Sequence, residues 1–191
     1  MAARVPVVDQ HLVIDDTRRW VASVVIGLNL CPFARRVFQA DKIRYAVSLA
    51  TGERALVQDL AGELRRLASC PATSVETTLL IHPRVLQDFL DYNEFVGVGE
   101  RLVSDLGLRG IIQIASFHPG YQFAGTDPGA VENYTNRSPY PMLHLLREAS
   151  ITAVAGDPDE LLAIPRRNVE TLRRLGREKM LETLRRVQRG P

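Results

Sequence analysis

Between Ser116 and Glu148 the chain reads SFHPGYQFAGTDPGAVENYTNRSPYPMLHLLRE, with two histidines, three tyrosines, two arginines and four prolines. A connecting loop needs turn residues, but it does not need this density of His, Asn, Tyr and Arg, so the stretch reads as a site. Its first histidine has a counterpart upstream. TLLIHP and IASFHP each end an apolar run in His-Pro, at His82 and His118. Proline disfavours α geometry at the residue before it, so extended backbone fixes both imidazoles, and a fixed imidazole suits proton transfer or metal ligation. The competing reading is a pair of strand-ending histidines that only hold loop carbonyls.

A third histidine, His144, is expected on a short helix capped by Ser138, where Glu148 stands four residues on as an acceptor. Neutral imidazoles at His82, His118 and His144, or two of them with Cys31 as thiolate, would supply three protein ligands for a zinc or iron ion with an open position. No pair has C-x-x-C or H-E-x-x-H spacing. Cys31, in NLCPFA, sits before proline at the start of a helical piece, a position that lowers a thiol's pKa when the helix end faces it. Ala34 occupies the place of a second cysteine, so the choice lies between one-thiol chemistry and simple burial.

Asn133, Asn136, Arg137 and Tyr140 follow one another closely in ENYTNRSPYP, and Arg147 comes soon after. A guanidinium fork before a capped helix suits a carboxylate or phosphate; alternatively, these side chains satisfy the loop's own backbone. The expected site therefore has His82, His118, Cys31 and Tyr140 in catalysis, Asn133, Asn136, Arg137 and Arg147 on the substrate, and His82, His118 and His144 on a metal. His82, His118, Asn136, Arg137 and Tyr140 are expected in one cleft at the carboxyl ends of the strands.

The elements that must position these residues follow from periodicity. Asp16 or Thr17 can cap a first helix with Trp20, Val24 and Leu28 on its apolar stripe, broken near Asn29 to Pro32 by Gly27 and Pro32. KIRYAVSLA, VETTLLIHP and RGIIQIASFHP read as strands, separated by helices that start at GERALVQDL and RVLQDFLDY. A strand–helix–strand–helix–strand order with nearly continuous apolar strands predicts an α/β fold with a small, mainly parallel sheet of at least three strands and crossover helices. A thioredoxin-like or ferredoxin-like arrangement with an added strand stays open. Asp157 and Pro158 begin another helix, and PRRNVETLRRLGREKMLETLRRVQ gives a long C-terminal one interrupted by Gly176. Residues 1–14 are expected as a tail and 15–191 as a single domain with a helical C-terminal portion.

Composition narrows the partners. The 191 residues are 46% hydrophobic and 24% charged, with a formal net charge of +2, which gives no strong field to draw in nucleic acid or an anionic membrane. From Arg166 onward nine basic residues face three acidic ones, but those acids are interleaved at Glu170, Glu178 and Glu182, as on a solvated helix face. Two cysteines make no disulfide framework, no apolar run approaches the roughly 18 to 20 residues that span a bilayer, and the N-terminus lacks a signal peptide's features. The expectation is a soluble cytoplasmic protein. There is no Walker or dinucleotide fingerprint.

IGLNLCPFA, LLIHPRVLQDFLDYNEF, ASFHPGYQFAG and NYTNRSPYPMLHLLREAS together make the chain resemble the bacterial family called domain of unknown function 1415, over about Asp15 to Arg177. The resemblance implies one family-sized domain and brings no activity, cofactor or catalytic residue with it. On the residues alone, the leading expectation is an enzyme acting on a small anionic molecule through a His/Arg/Tyr cleft, with a divalent transition metal such as zinc or iron as candidate cofactor. A non-catalytic binding or scaffold protein and a one-thiol redox protein using Cys31 are the alternatives.

Overall fold

The computed structural model describes residues 8–155 and 158–189; Asp157, expected to open a helix, lies outside them. The chain runs through α1 (Gln10–Trp20), a π-helical turn (Val21–Ile26), α2 (Ala34–Gln39), β1 (Ile43–Val47), α3 (Glu53–Ser69), β2 (Thr77–Ile81), α4 (Phe89–Asp105) and β3 (Ile112–Phe117). A 3-10 turn (Val131–Thr135), β4 (Met142–Arg147), α5 (Glu148–Ala155), α6 (Pro158–Leu175) and α7 (Arg177–Arg189) complete it. Among these helices none is long and apolar enough to cross a membrane.

The four strands form one mixed sheet in the order β1-β2-β4-β3. β1 and β2 pair in parallel, while β4 runs antiparallel between β2 and β3. Three strands therefore point the same way, as the alternating order of strands and helices predicts, and a fourth is inserted among them. That insertion corrects one expectation. YPMLHLLREAS forms the central strand β4 followed by α5, where a helix starting at Ser138 was expected, and Ser138 Oγ donates to the Tyr140 carbonyl at 2.6 Å. A short apolar run rich in leucine is ambiguous between helix and strand, and tertiary context decides it. Here Met142, Leu143 and Leu145 are each 0% exposed, because both faces of the central strand are covered.

One face carries α3 and α4. Leu56, Leu60, Leu64 and Leu67 recur at helical spacing on α3 and pack with Tyr92 and Phe95 of α4 onto Ala46, Leu80, Ile112, Leu143 and Leu145. Burying each leucine contributes about 1.5–3 kcal/mol, offset in large part by chain entropy. The other face carries α1, the π-helical turn, α6 and α7, with Trp20, Val24, Leu172, Met180 and Val187 over Leu79, Ile81 and Met142. α6 and α7 are separated at Gly176, whose φ of +82° is the left-handed conformation that glycine adopts without strain.

The first helix also starts earlier than expected. Asp9 is its cap, accepting from His11 N at 3.0 Å and Leu12 N at 3.2 Å. Asp16 and Thr17 lie inside the helix, 2% and 0% exposed. Asp16 resembles a cap by residue type, but its carboxylate faces inward to meet Arg19 and the Tyr140 hydroxyl.

Candidate functional site

β2 and β3 end side by side with β4 between them, so His82 and His118 emerge at the same end of the sheet and on the same face. Both rings lie against Tyr92, with centroids 5.8 Å and 4.9 Å away. Each holds a carbonyl of the loop that precedes α4. His82 Nδ1–H donates to the Val85 carbonyl at 3.0 Å; His118 Nε2–H donates to Leu86 at 3.1 Å, and His118 Nδ1 accepts from Gly120 N at 3.0 Å. Leu86 has φ +58°, an uncommon conformation for a bulky side chain, and its carbonyl is the one His118 fixes. Burial holds both imidazoles below the ordinary value, His82 at about 4. They are neutral near pH 7, and the His82 Nε2 lone pair is buried without a partner among the described residues. The Tyr92 hydroxyl, between them, donates to the Met142 carbonyl at 2.8 Å and accepts from Phe117 N at 3.0 Å, tying β4 to the end of β3.

The polar loop that follows is engaged with itself. Asn133, 0% exposed, accepts from Phe123 N and Thr126 Oγ1 and donates to the Asp127 carbonyl. Asn136 Nδ2 donates to the Ser116 carbonyl at 3.1 Å. Arg137 lies 4.3 Å over the Tyr134 ring and donates to the Tyr121 and Pro128 carbonyls at 3.1 and 2.8 Å. Its partners are backbone carbonyls and an aromatic face. Tyr140 donates to Asp16 Oδ2 at 2.6 Å, and burial together with that carboxylate pushes its hydroxyl pKa up. Arg147 caps the C-terminus of α3, donating to the carbonyls of Leu67, Cys70 and Val75.

His144 corrects the expected metal set. It lies on β4, paired with Leu79 and Ala115, and it points to the opposite face from His82 and His118, into the α1 side. Its Nε2 meets Thr77 Oγ1 at 2.7 Å in place of the expected Glu148. Among the described residues no group of three His, Cys, Asp or Glu side chains is placed to hold a metal ion.

On that second face the helices stand off from the sheet and leave a cavity of about 300 Å³. Its floor is Thr77, Leu79, Ala115, Phe117, His144 and Leu146, and its walls include Trp20, Val21, Val25, Cys31, Phe33 and Ala34. Local sequence explains the space. The π-helical turn aligns Val21 and Val25 over the sheet, and it ends at Gly27, where a Cβ would stand 2.3 Å from the Ser23 carbonyl oxygen. Ala115 and Ala34 add little volume. Arg36 and Glu76, which also line it, are paired with each other. The floor reaches Ile43, Thr77 and Gln113, near the amino ends of β1–β3, whereas the cleft was expected at the carboxyl ends.

Of the residues expected at the site, Cys31, His144 and Arg147 line this cavity; His82, His118, Asn133, Asn136, Arg137 and Tyr140 do not. For Cys31 the burial alternative is the one the surroundings favour. Burial pushes its pKa up, outweighing the N–H groups of Phe33 and Ala34 and the charge of Arg167, which act to lower it. Burial likewise holds His144 at about 4, so the ring is neutral near pH 7. Thr77, Ala115 and the Trp20–Val25 wall were missed by sequence reasoning. The one available signal was the pair of small residues, Ala34 and Ala115, within otherwise bulky apolar segments.

No curated protein and no solved structure matches the chain. A family model does match, over residues 12–182: it is described as a protein of unknown function, DUF1415, and the chain belongs to that family.

Proposed function

We propose that the protein binds a small, largely apolar molecule in the cavity between the sheet and the α1–α2 segment. The observation that carries this reading is the cavity itself, about 300 Å³ with a lining of Trp, Val, Phe and Leu side chains and a neutral histidine in its floor. Small-molecule sites have this make-up: an apolar surround at the lower end of the usual size range and a few polar groups that fix orientation. A well-packed interior does not leave such a space by default.

The reading as an enzyme that holds an anion at His82, His118, Arg137 and Tyr140 draws less support, because those side chains are engaged with loop carbonyls and with Asp16. A one-thiol redox role has Cys31 in a suitable wall but in its protonated form. Thermal unfolding of the purified protein in the presence of toluene tests the binding reading. The midpoint should rise with toluene concentration, by mass action on the folded state. Ala115→Phe, which fills the floor, should remove that rise while keeping the circular dichroism of the parent. A midpoint unmoved by toluene in the parent would overturn the proposal.

A further inference from the structure

We propose that the ligand of this cavity is a neutral apolar molecule carrying one hydrogen-bond donor, a hydroxyl or an N–H, which it gives to Nδ1 of His144. The inference rests on the binding reading above and adds the ligand's chemistry to it. Its starting point is a single proton. Thr77 Oγ1 lies 2.7 Å from the Leu145 carbonyl and 2.7 Å from His144 Nε2. A hydroxyl has one proton to give, and a carbonyl oxygen can only accept. Both contacts are favourable only when the Thr77 proton goes to Leu145 and Nε2–H donates to the Thr77 oxygen. The neutral ring then carries its proton on Nε2 and its lone pair on Nδ1. That tautomer is built into the sheet, because Thr77 and Leu145 are held by β2 and β4.

Nδ1 has no hydrogen-bond partner among the described residues, and it is not one of their buried unpartnered side-chain atoms, in contrast to His82 Nε2. With the ring in the cavity floor, the lone pair is left to whatever occupies the space. Of the other polar groups there, Arg36 and Glu76 are paired with each other, Arg147 is engaged with carbonyls at the end of α3, and a thiol is a weak donor and acceptor. Gln113 and Ser150 also line the space and can each both donate and accept, so they suit a donor-bearing ligand as well as any other. A ligand that offers an ether or carbonyl oxygen at His144 would set lone pair against lone pair. A carboxylate or phosphate would do so with a charge stripped of water, which an apolar wall makes far more costly. A neutral donor is the complement. The aromatic lining, Trp20 and Phe33 in the walls and Phe117 in the floor, favours a flat ring as its body.

Indole and benzofuran test this directly, being close in shape and differing in an N–H against a ring oxygen. In titrations of the wild-type protein, indole should bind about tenfold or more tightly than benzofuran, because a site that pairs a donor penalises the analogue lacking it. In a long-range proton–nitrogen spectrum, indole should move the Nδ1 resonance of His144 and leave Nε2 in its protonated range. His144→Phe should weaken indole alone and bring the two affinities together. Equal affinities in the wild type, with Ala115→Phe abolishing both, would overturn the donor inference and leave the cavity reading standing. No binding of either compound would overturn both. The wild-type comparison needs no variant, so a misfolded His144→Phe would not rescue the proposal.

Discussion

On the α3–α4 face of the sheet, His82 and His118 flank Tyr92 with ring nitrogens directed at loop carbonyls, and the Phe89 ring packs against His118. On the α1 face, a single histidine stands in the floor of a cavity with one nitrogen fixed and the other free among the described residues. The first region is far richer in hydrogen-bonding chemistry, yet nearly all of it is internally satisfied. The second region is poor in polar groups, but it combines open volume with an unanswered lone pair. The contrast teaches that a candidate site is marked by what the fold leaves unsatisfied beside space, and that density of reactive residue types is a weaker sign.

Acid should have the largest effect, and it should reach both regions alike. His82 and His144 each sit at about 4 in the folded protein against about 6.5 unfolded. Between those values the unfolded chain takes up protons that the folded one refuses. The stability associated with each neutral ring is therefore complete above pH 6.5, falls as pH drops, and is lost by about pH 4, roughly 3 kcal/mol for each. Urea unfolding across pH 4 to 7 should show this slope, and His82→Phe and His144→Phe should each make it shallower by a similar amount, with His118 contributing to the remainder. An unchanged slope in His82→Phe would mean that His82 is hydrated and that the first region is less closed than its packing shows.

Much of this arrangement was legible from residues, though unevenly. The His-Pro ends predicted that His82 and His118 share one end and one side, and the parallel direction of β2 and β3 delivers that. The same logic could not see β4. MLHLLR has no period that separates helix from strand, and its conformation is set by burial on both faces, which is a property of the assembled sheet. The loop's side chains were legible as a hydrogen-bonding cluster, but their partners are mostly backbone carbonyls, and every residue type supplies a carbonyl. Residue identity therefore could not distinguish a site from a self-satisfied loop. The cavity was the least legible feature, because volume arises from small side chains at Ala34 and Ala115 and a π-helical turn meeting across the fold.

A packing comparison sharpens the same contrast on a smaller scale. At Gly99 of α4 an added Cβ would stand 3.0 Å from Ile114 Cδ1 and 3.4 Å from Leu60 Cδ2. Gly99→Leu should cost about 1–3 kcal/mol, the usual range for overpacking. Ala115→Leu, one strand residue beyond Ile114 and on the other face, extends into open volume and should change stability by less than about 0.5 kcal/mol, with a small gain from added burial acceptable. Denaturant midpoints at constant m-value would measure both. A loss at Ala115 as large as at Gly99 would mean the second face is as closely packed as the first.

The two thiols give the smallest effect and the most local one, since one belongs to each region. Cys70 ends α3, where its Sγ lies 3.7 Å from the Leu67 carbonyl and 3.5 Å from an Arg147 guanidinium nitrogen. Cys31 belongs to the cavity wall, and burial there raises its pKa in spite of two nearby N–H groups. Because the thiolate is the reacting form, Cys31 should alkylate with iodoacetamide several-fold more slowly than a free thiol at pH 7.5, and its rate should keep climbing with pH past the ordinary thiol value of about 8.5. Toluene in the cavity should slow Cys31 further and leave Cys70 unchanged, which peptide mass spectrometry can read residue by residue. A Cys31 rate that is fast at pH 7.5 and level above it would mean that the start of α2 outweighs burial. The second region would then be a polar, reactive one, and the contrast between the two faces would narrow to a difference in volume alone.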